Sequence, residues 1–198
     1  PYTREESHVL YSVTKSFMSA LVGITIADGY IEGVEQAILD FFPDREIRNL
    51  DDRKAGMTLE DLLTMRSGTD YHERGSDAPH FQLNKLARGW DRFYLNRPMI
   101  REPGTHFSYD SGGVILLSSL LHSRTDMHAD IFAQNSLFKH LQIDEFFWLK
   151  NLDHHPHTGG GLYLRPVDMA KLGQLYLQKG SWMEHQVVPE NWIEESFK

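Results

Sequence analysis

Apolar residues recur every three or four positions through most of this chain, and that spacing restricts it to a largely helical fold. From Ser12 to Gly29 they fall at Val13, Phe17, Ala20, Leu21, Ile24 and Ala27, and Gly29 stops the pattern. The same spacing predicts a turn and short helix over 31–42, ended by Pro43, and a helix over Phe81–Leu95. Further helices are expected from Asp110 or Ser111 to Leu121, over Ala129–Leu141 and over Pro166–Leu177. The last of these has Pro166 at its first position and Gly180 just past its end. Pro189 opens a final short helix. Thr58-Leu-Glu-Asp61 is a variant capping box, with Met57 and Leu62 placed as a hydrophobic staple. Its helix is expected to end near Ser67-Gly68, with Gly68 as the left-handed residue beyond the end. Tyr71–Asp77, Arg101–Gly104 and Asp153–Gly161 read as loop or turn. Strand candidates are few: Ser7–Tyr11, Phe146–Leu149 and Gly161–Leu164.

A length of 198 residues suits one large domain or two small ones, and 40% hydrophobic residues are ample for a core. No internal repeat or long linker divides the chain. No run of 18 apolar residues is present, so no membrane span is expected. A formal net charge of −8 argues against a general nucleic-acid partner. The absence of cysteine excludes disulfides and thiolate metal sites and leaves the compartment open among periplasmic, secreted and cytoplasmic. The sequence begins at Pro1 with no signal peptide and is expected to be a fragment.

The stretch SHVLYSVTKSF places Ser12 and Lys15 where an extended run gives way to a helix. A Ser-x-x-Lys pair is weak evidence alone, arising by chance about once per 200 residues. Here it occurs twice, as Ser12/Lys15 and Ser136/Lys139. Ser136 falls inside a helical run, where its N–H is committed to the helix ladder. Ser12 falls in a first turn, where N–H groups lack intrahelical partners and can hold an oxyanion. Positions i and i+3 share a helix face, so the Lys15 amine can reach the Ser12 oxygen. A helix-capping serine beside a solvated lysine would read the same way. Nucleophilic use needs a base, and Tyr109, in the loop PGTHFSYDSGG before a helix, is the best candidate. The competing reading is a tyrosine packed at a helix entry.

Four segments in order, YSVTKSF, MTLEDLLTMRSG, EPGTHFSYDSGG and GGGLYLRPVDMAKLGQLYLQKG, resemble the serine β-lactamase-like hydrolases. The likeness is to the class C β-lactamase and penicillin-binding-protein type, nearest to its esterase and 6-aminohexanoate-dimer hydrolase relatives. It covers almost the whole chain. The resemblance implies an α+β fold and one domain over 1–198, represented mostly by its helical portion. It implies acylation of Ser12, with Lys15 assisting proton transfer. Tyr109 matches the general base of the family's Tyr-x-Asn motif, which here reads Tyr109-Asp110-Ser111, so Asp110 and Ser111 are expected at the substrate. Serine where asparagine is usual argues against a true β-lactamase, because the hydroxyl offers one donor where the amide offers two. The substrate class implied is a small ester, amide or lactam, with no cofactor and no metal.

The family's third motif is Lys-Thr-Gly or a histidine-containing relative. His157-Thr158-Gly159 has that form but runs directly into the segment that precedes the third motif in the family. It is therefore expected to be a decoy, and whether His157 approaches Ser12 tests this. The true motif would then follow Lys198. The chain would be an internal portion of a longer enzyme, without most of the central antiparallel sheet and one oxyanion-hole N–H. Two alternatives stay open. One is a non-catalytic binding or sensor protein on the same fold. The other is a metal-dependent protein using Asp153, His154, His155 and His157. Asp126, Asp130, Asp144 and Glu145 read as solvated, while Trp90, Tyr94 and Trp148 suit either a core or a pocket. No G-x-S-x-G elbow, phosphate loop or His-Glu-x-x-His is present.

Overall fold

The structure is a computed structural model and describes residues 3–198. Two helices that are apolar on nearly every face form its centre, and each must therefore be covered on all sides. Helix α1 (Thr14–Ala27) buries Phe17, Met18, Leu21, Val22 and Ile24. Helix α6 (Ser111–Thr125) is buried without a break from Ser111 to Leu121. The two pack against each other. Their internal hydroxyls bond back along the helix, Thr25 to the Leu21 carbonyl at 2.5 Å and Thr125 to that of Leu121 at 2.9 Å.

The remaining helices form the cover: α2 (Asp52–Gly56), α3 (Leu59–Leu63), α4 (Pro79–Asn84), α5 (Trp90–Leu95), α7 (Ala129–Ala133), α8 (Pro166–Leu177) and α9 (Glu190–Glu195). Helix α7 runs on through a π-helical segment, Gln134–Phe138. A side chain at Gly23 would meet the Trp192 ring at 2.5 Å, so α9 lies directly on α1. Among the described residues no helix is long and apolar enough to cross a membrane.

Strands are as scarce as the sequence suggests. The strands β1 (His8–Val9), β2 (Phe147–Trp148) and β3 (Leu162–Leu164) form an antiparallel sheet in the order β1-β3-β2, with His8 opposite Leu164 and Trp148 opposite Leu162. A hairpin of β4 (Ser181–Trp182) and β5 (His185–Gln186) has no expected counterpart. The sheet feeds the site. After β1 the Leu10 N–H bonds the Leu162 carbonyl at 2.8 Å, and the chain then turns through a 3-10 segment, Tyr11–Val13, into α1.

Three expectations are corrected. The capping box forms, with Thr58 N–H donating to the Asp61 carboxylate at 2.8 Å, and Met57 and Leu62 are buried. Its helix nonetheless stops at Leu63, and Met65 takes the left-handed turn (φ 55°). Gly68 does not cap it. At φ 77° it lies so close to the strand-like segment opposite that a Cβ would sit 2.6 Å from the Arg101 carbonyl oxygen. The helix expected over Phe81–Leu95 is two helices, α4 and α5, broken at Gly89 (φ 68°), whose N–H is held by the Asp153 carboxylate at 2.7 Å. Helix α2 is additional, started by Asp51 accepting from the Lys54 N–H at 3.0 Å.

The start of α6 is built for close approach. A Cβ at Gly112 would lie 2.4–2.8 Å from the buried Tyr71 ring. Gly112→Ala gains about 1 kcal/mol of helix propensity but overpacks the site at a cost of about 1–3 kcal/mol. A thermal melt is expected to show a net loss of roughly 2–4 °C, whereas a raised melting temperature would contradict this packing.

Candidate functional site

The pairing of β1 with β3 ends at Leu10 and α1 begins at Thr14, leaving three residues to reverse the chain. Tyr11 makes the turn in the left-handed region (φ 46°). A non-glycine residue there carries strain of about 1–2 kcal/mol, a feature that gathers at functional sites. Ser12 follows, exposed, with its N–H in the first turn.

The Ser12 Oγ accepts hydrogen bonds from Lys15 Nζ at 3.1 Å and from Tyr109 Oη at 2.5 Å. The Lys15 ammonium lies 5.0 Å from the Tyr109 ring centroid and also donates to the Gly159 carbonyl at 2.5 Å. Among the described residues Lys15 has no carboxylate within ion-pair distance. Two proton-carrying groups thus meet at the Ser12 hydroxyl. The arrangement can deprotonate a hydroxyl and return the proton to a leaving atom.

Tyr109 is held by the residues after it. Asp110, the N-cap of α6, accepts from Gly113 N–H at 2.7 Å, from Ser67 Oγ at 3.1 Å and from the Tyr94 hydroxyl. Burial pushes this carboxyl up to about 6, although all three donors pull it down. Its carboxylate is buried and bonded to these three donors, so Asp110 faces the core. Its work is to fix the turn that carries Tyr109. Ser111 is 3% exposed, and its N–H donates to Glu73 at 2.8 Å. It packs beneath Gly159, where a Cβ would lie 3.1 Å from the Ser111 Cβ.

The glycines of HTGGG bring their loop to the site. A Cβ at Gly161 would press on His157 and Leu149 at 2.9 and 3.0 Å, and one at Gly160 would meet the Tyr11 backbone at 3.6 Å. The loop reaches Lys15 through the Gly159 carbonyl. The His157 ring bonds Asn84 at 2.9 Å and stacks edge-on against Trp90, and it makes no bond to Ser12. Burial drives His157 down to about 4. The Gly159 carbonyl and Glu73 are site groups that the sequence reading did not identify. A run of three glycines beside a helix-period segment was the available signal for the first, and Glu73 carried none.

The other candidates lie elsewhere. Ser136 and Lys139 belong to the π-helical segment and its end. Asp153 is bound by Arg88 at 2.6 Å and by the Gly89 N–H. His154 and His155 turn away from His157 and pack on His128, which is stacked on His122 at 4.3 Å. No group of three or more ligand side chains arranged to hold a metal occurs among the described residues. Asp130 is buried and paired with Lys150, not solvated as expected. Trp90, Tyr94 and Trp148 are core residues.

A family model described as Beta-lactamase matches residues 1–191. The chain is 23% identical over 205 residues to the 6-aminohexanoate-dimer hydrolase of Paenarthrobacter ureafaciens, aligning 98% of itself and 51% of that protein. It therefore spans about half the length of this curated relative. Among solved structures it is similar to EstCE1, a hydrolase with promiscuous acyltransferase activity (TM-score 0.79, 14% identity, 98% of this chain and 63% of that one). It is also similar to the penicillin binding protein from Bacillus halodurans (TM-score 0.77, 18% identity, 100% and 67%). A third similar structure is the D-amino acid amidase from Ochrobactrum anthropi (TM-score 0.74, 17% identity, 98% and 62%). These structural likenesses show the fold.

The imidazole cluster gives the loop a pH dependence. Burial, then the neighbouring His128 and His122, push His155 down to about 4, against about 6.5 for a free histidine. The unfolded chain therefore binds the extra proton first, and the stability due to a neutral His155 is complete above about pH 6.5 and lost as pH falls toward 4. Asp110, raised to about 6, acts in the opposite sense as pH falls from 6 toward 3.8. The difference between wild type and His155→Gln isolates the histidine. Between pH 6.5 and 4 the melting temperature of wild type is expected to fall further than that of the variant, by roughly 2–4 °C. Parallel curves would contradict the assignment.

Proposed function

The chain belongs to the Beta-lactamase family, and from that footing we propose that it is a serine hydrolase of small esters or amides working through an acyl-enzyme on Ser12. The observation that carries the reading is the meeting of Lys15 and Tyr109 on the Ser12 oxygen at 3.1 and 2.5 Å. The Ser12 Oγ attacks the substrate carbonyl carbon while its proton passes to Tyr109 as phenolate or to Lys15 as free amine. The carbonyl oxygen becomes an oxyanion, to which the Ser12 N–H donates. The tetrahedral adduct collapses, the bond to the leaving group breaks, and the stored proton goes to that group. Water then gives a proton to the same base, attacks the acyl carbon and releases the acid, returning the proton to Ser12.

Three features favour an ester or amide over a β-lactam. Ser111 replaces the motif's asparagine, and it is buried under Gly159 with no reach into the cleft. The relatives named above include a dimer hydrolase and an amidase. Tyr11, the residue before the nucleophile, is 71% exposed, an apolar ring suited to apolar acyl or leaving groups.

Initial rates with p-nitrophenyl acetate and with a chromogenic cephalosporin test this. Wild type is expected to hydrolyse the ester in preference to the lactam. Ser12→Ala abolishes the ester rate, and Tyr109→Phe and Lys15→Met lower it by about 10²–10⁴-fold. An ester rate unchanged in Ser12→Ala overturns the proposal. Acylation of Ser12 without turnover would assign the chain to ligand binding instead.

A further inference from the structure

A circuit of polar contacts outside the catalytic trio joins the two loops that hold it. Asn84, the last residue of α4, stands in its middle. Its Oδ1 lies 2.9 Å from His157 Nε2 and its Nδ2 lies 3.1 Å from His80 Nε2. On the far side His80 Nδ1 is 3.2 Å from the Tyr71 hydroxyl and 3.8 Å from the Glu73 carboxylate. Glu73 in turn accepts the Ser111 N–H, two residues from Tyr109. In the other direction His157 begins the turn whose Gly159 carbonyl holds Lys15. Gly159 and Ser111 are themselves packed together, so the circuit closes.

Hydrogen-bond chemistry fixes its polarity. An amide nitrogen only donates, so His80 Nε2 must be bare and its Nδ1 must carry the proton, pointed at Tyr71 and Glu73. An amide oxygen only accepts, so His157 Nε2 carries the proton. The His157 Nδ1 is buried without a partner. That is consistent, because the opposite amide orientation would leave a buried N–H donor unpaired there, the costlier defect. Each tautomer is thus set by one asparagine.

We propose that Asn84 is a positioning residue for the Ser12 site. Through His157 it holds the Gly159 carbonyl on Lys15, and through His80 and Glu73 it holds the turn that carries Tyr109. The proposal rests on the hydrolase reading for its kinetic readout but has a structural readout of its own.

Two variants separate positioning from packing. Asn84→Leu keeps the volume and removes both hydrogen bonds. Asn84→Asp keeps the acceptor for His157 and can accept a hydrogen bond from His80 Nε2–H when that ring carries a proton on both nitrogens, which keeps Nδ1–H on Glu73. Phosphonylation by a fluorophosphonate is followed by intact mass, resolving the inactivation rate constant from the binding constant, and each variant is crystallised. Asn84→Leu is expected to lower the rate constant about tenfold with binding unchanged, and to open the Lys15–Gly159 contact. Asn84→Asp is expected to retain both rate and contact. A packing role predicts that the leucine variant reacts at least as well as the aspartate one. If wild type does not react with the probe, the hydrolase reading fails, and the crystallographic contact still decides this proposal. An intact Lys15–Gly159 contact in Asn84→Leu overturns it.

Discussion

Everything at the site depends on α1 and α6 lying against each other. Both are apolar on nearly every face, so each must be covered on most sides, and each supplies part of the other's cover. Full burial of one large aliphatic or aromatic side chain is worth about 1.5–3 kcal/mol, and α1 alone buries five. That outweighs the 1–2 kcal/mol of strain at Tyr11. The packing sets the N-terminal ends of the two helices side by side, and those ends carry Ser12 and Tyr109, 97 residues apart in sequence. The contact between Ser12 and Tyr109 is a by-product of core packing.

Polar groups then refine what the core has placed. Asp110 is desolvated and kept buried because it caps α6 and is met by three donors, and its reward is a fixed Tyr109. Lys15 is treated in the opposite way. Its described partners are neutral oxygens, from a serine and a glycine carbonyl. The carbonyl orients the amine without placing a counter-charge beside it. The glycines at 159–161 permit that carbonyl to come so near, since side chains at 159 and 161 would strike Ser111 and His157.

What could be read in the sequence follows the range of the interactions. The helices α1, α6 and α8 and the three strand positions were legible because periodicity and caps are local. The i, i+3 spacing of Ser12 and Lys15 puts both on one helical turn but reads equally as a cap, and Tyr109 on its loop reads equally as a packed tyrosine; only the four ordered segments tie the three together. The gap between α4 and α5 was hidden, because the Gly89 N–H that opens α5 is held by Asp153, 64 residues later. The early end of α3 was hidden for a similar reason: Gly68 answers to Arg101 across a close approach and not to its own helix. The burial of Asp110 was hidden because adjacency to Tyr109 says nothing about which way a side chain turns. The Gly159 carbonyl and Glu73 act through backbone groups of distant residues, which no side-chain motif records.

The acyl intermediate proposed on Ser12 can be trapped by rapid quenching and located by intact-mass and peptide analysis. The protein is mixed with excess p-nitrophenyl acetate, quenched in acid within the first turnover and digested. One acetyl group per chain, carried by the peptide containing Ser12 and appearing in step with the first equivalent of nitrophenol, is the predicted result. Nitrophenol release with no acetylated peptide, or with the acetyl group on another residue, would contradict the account.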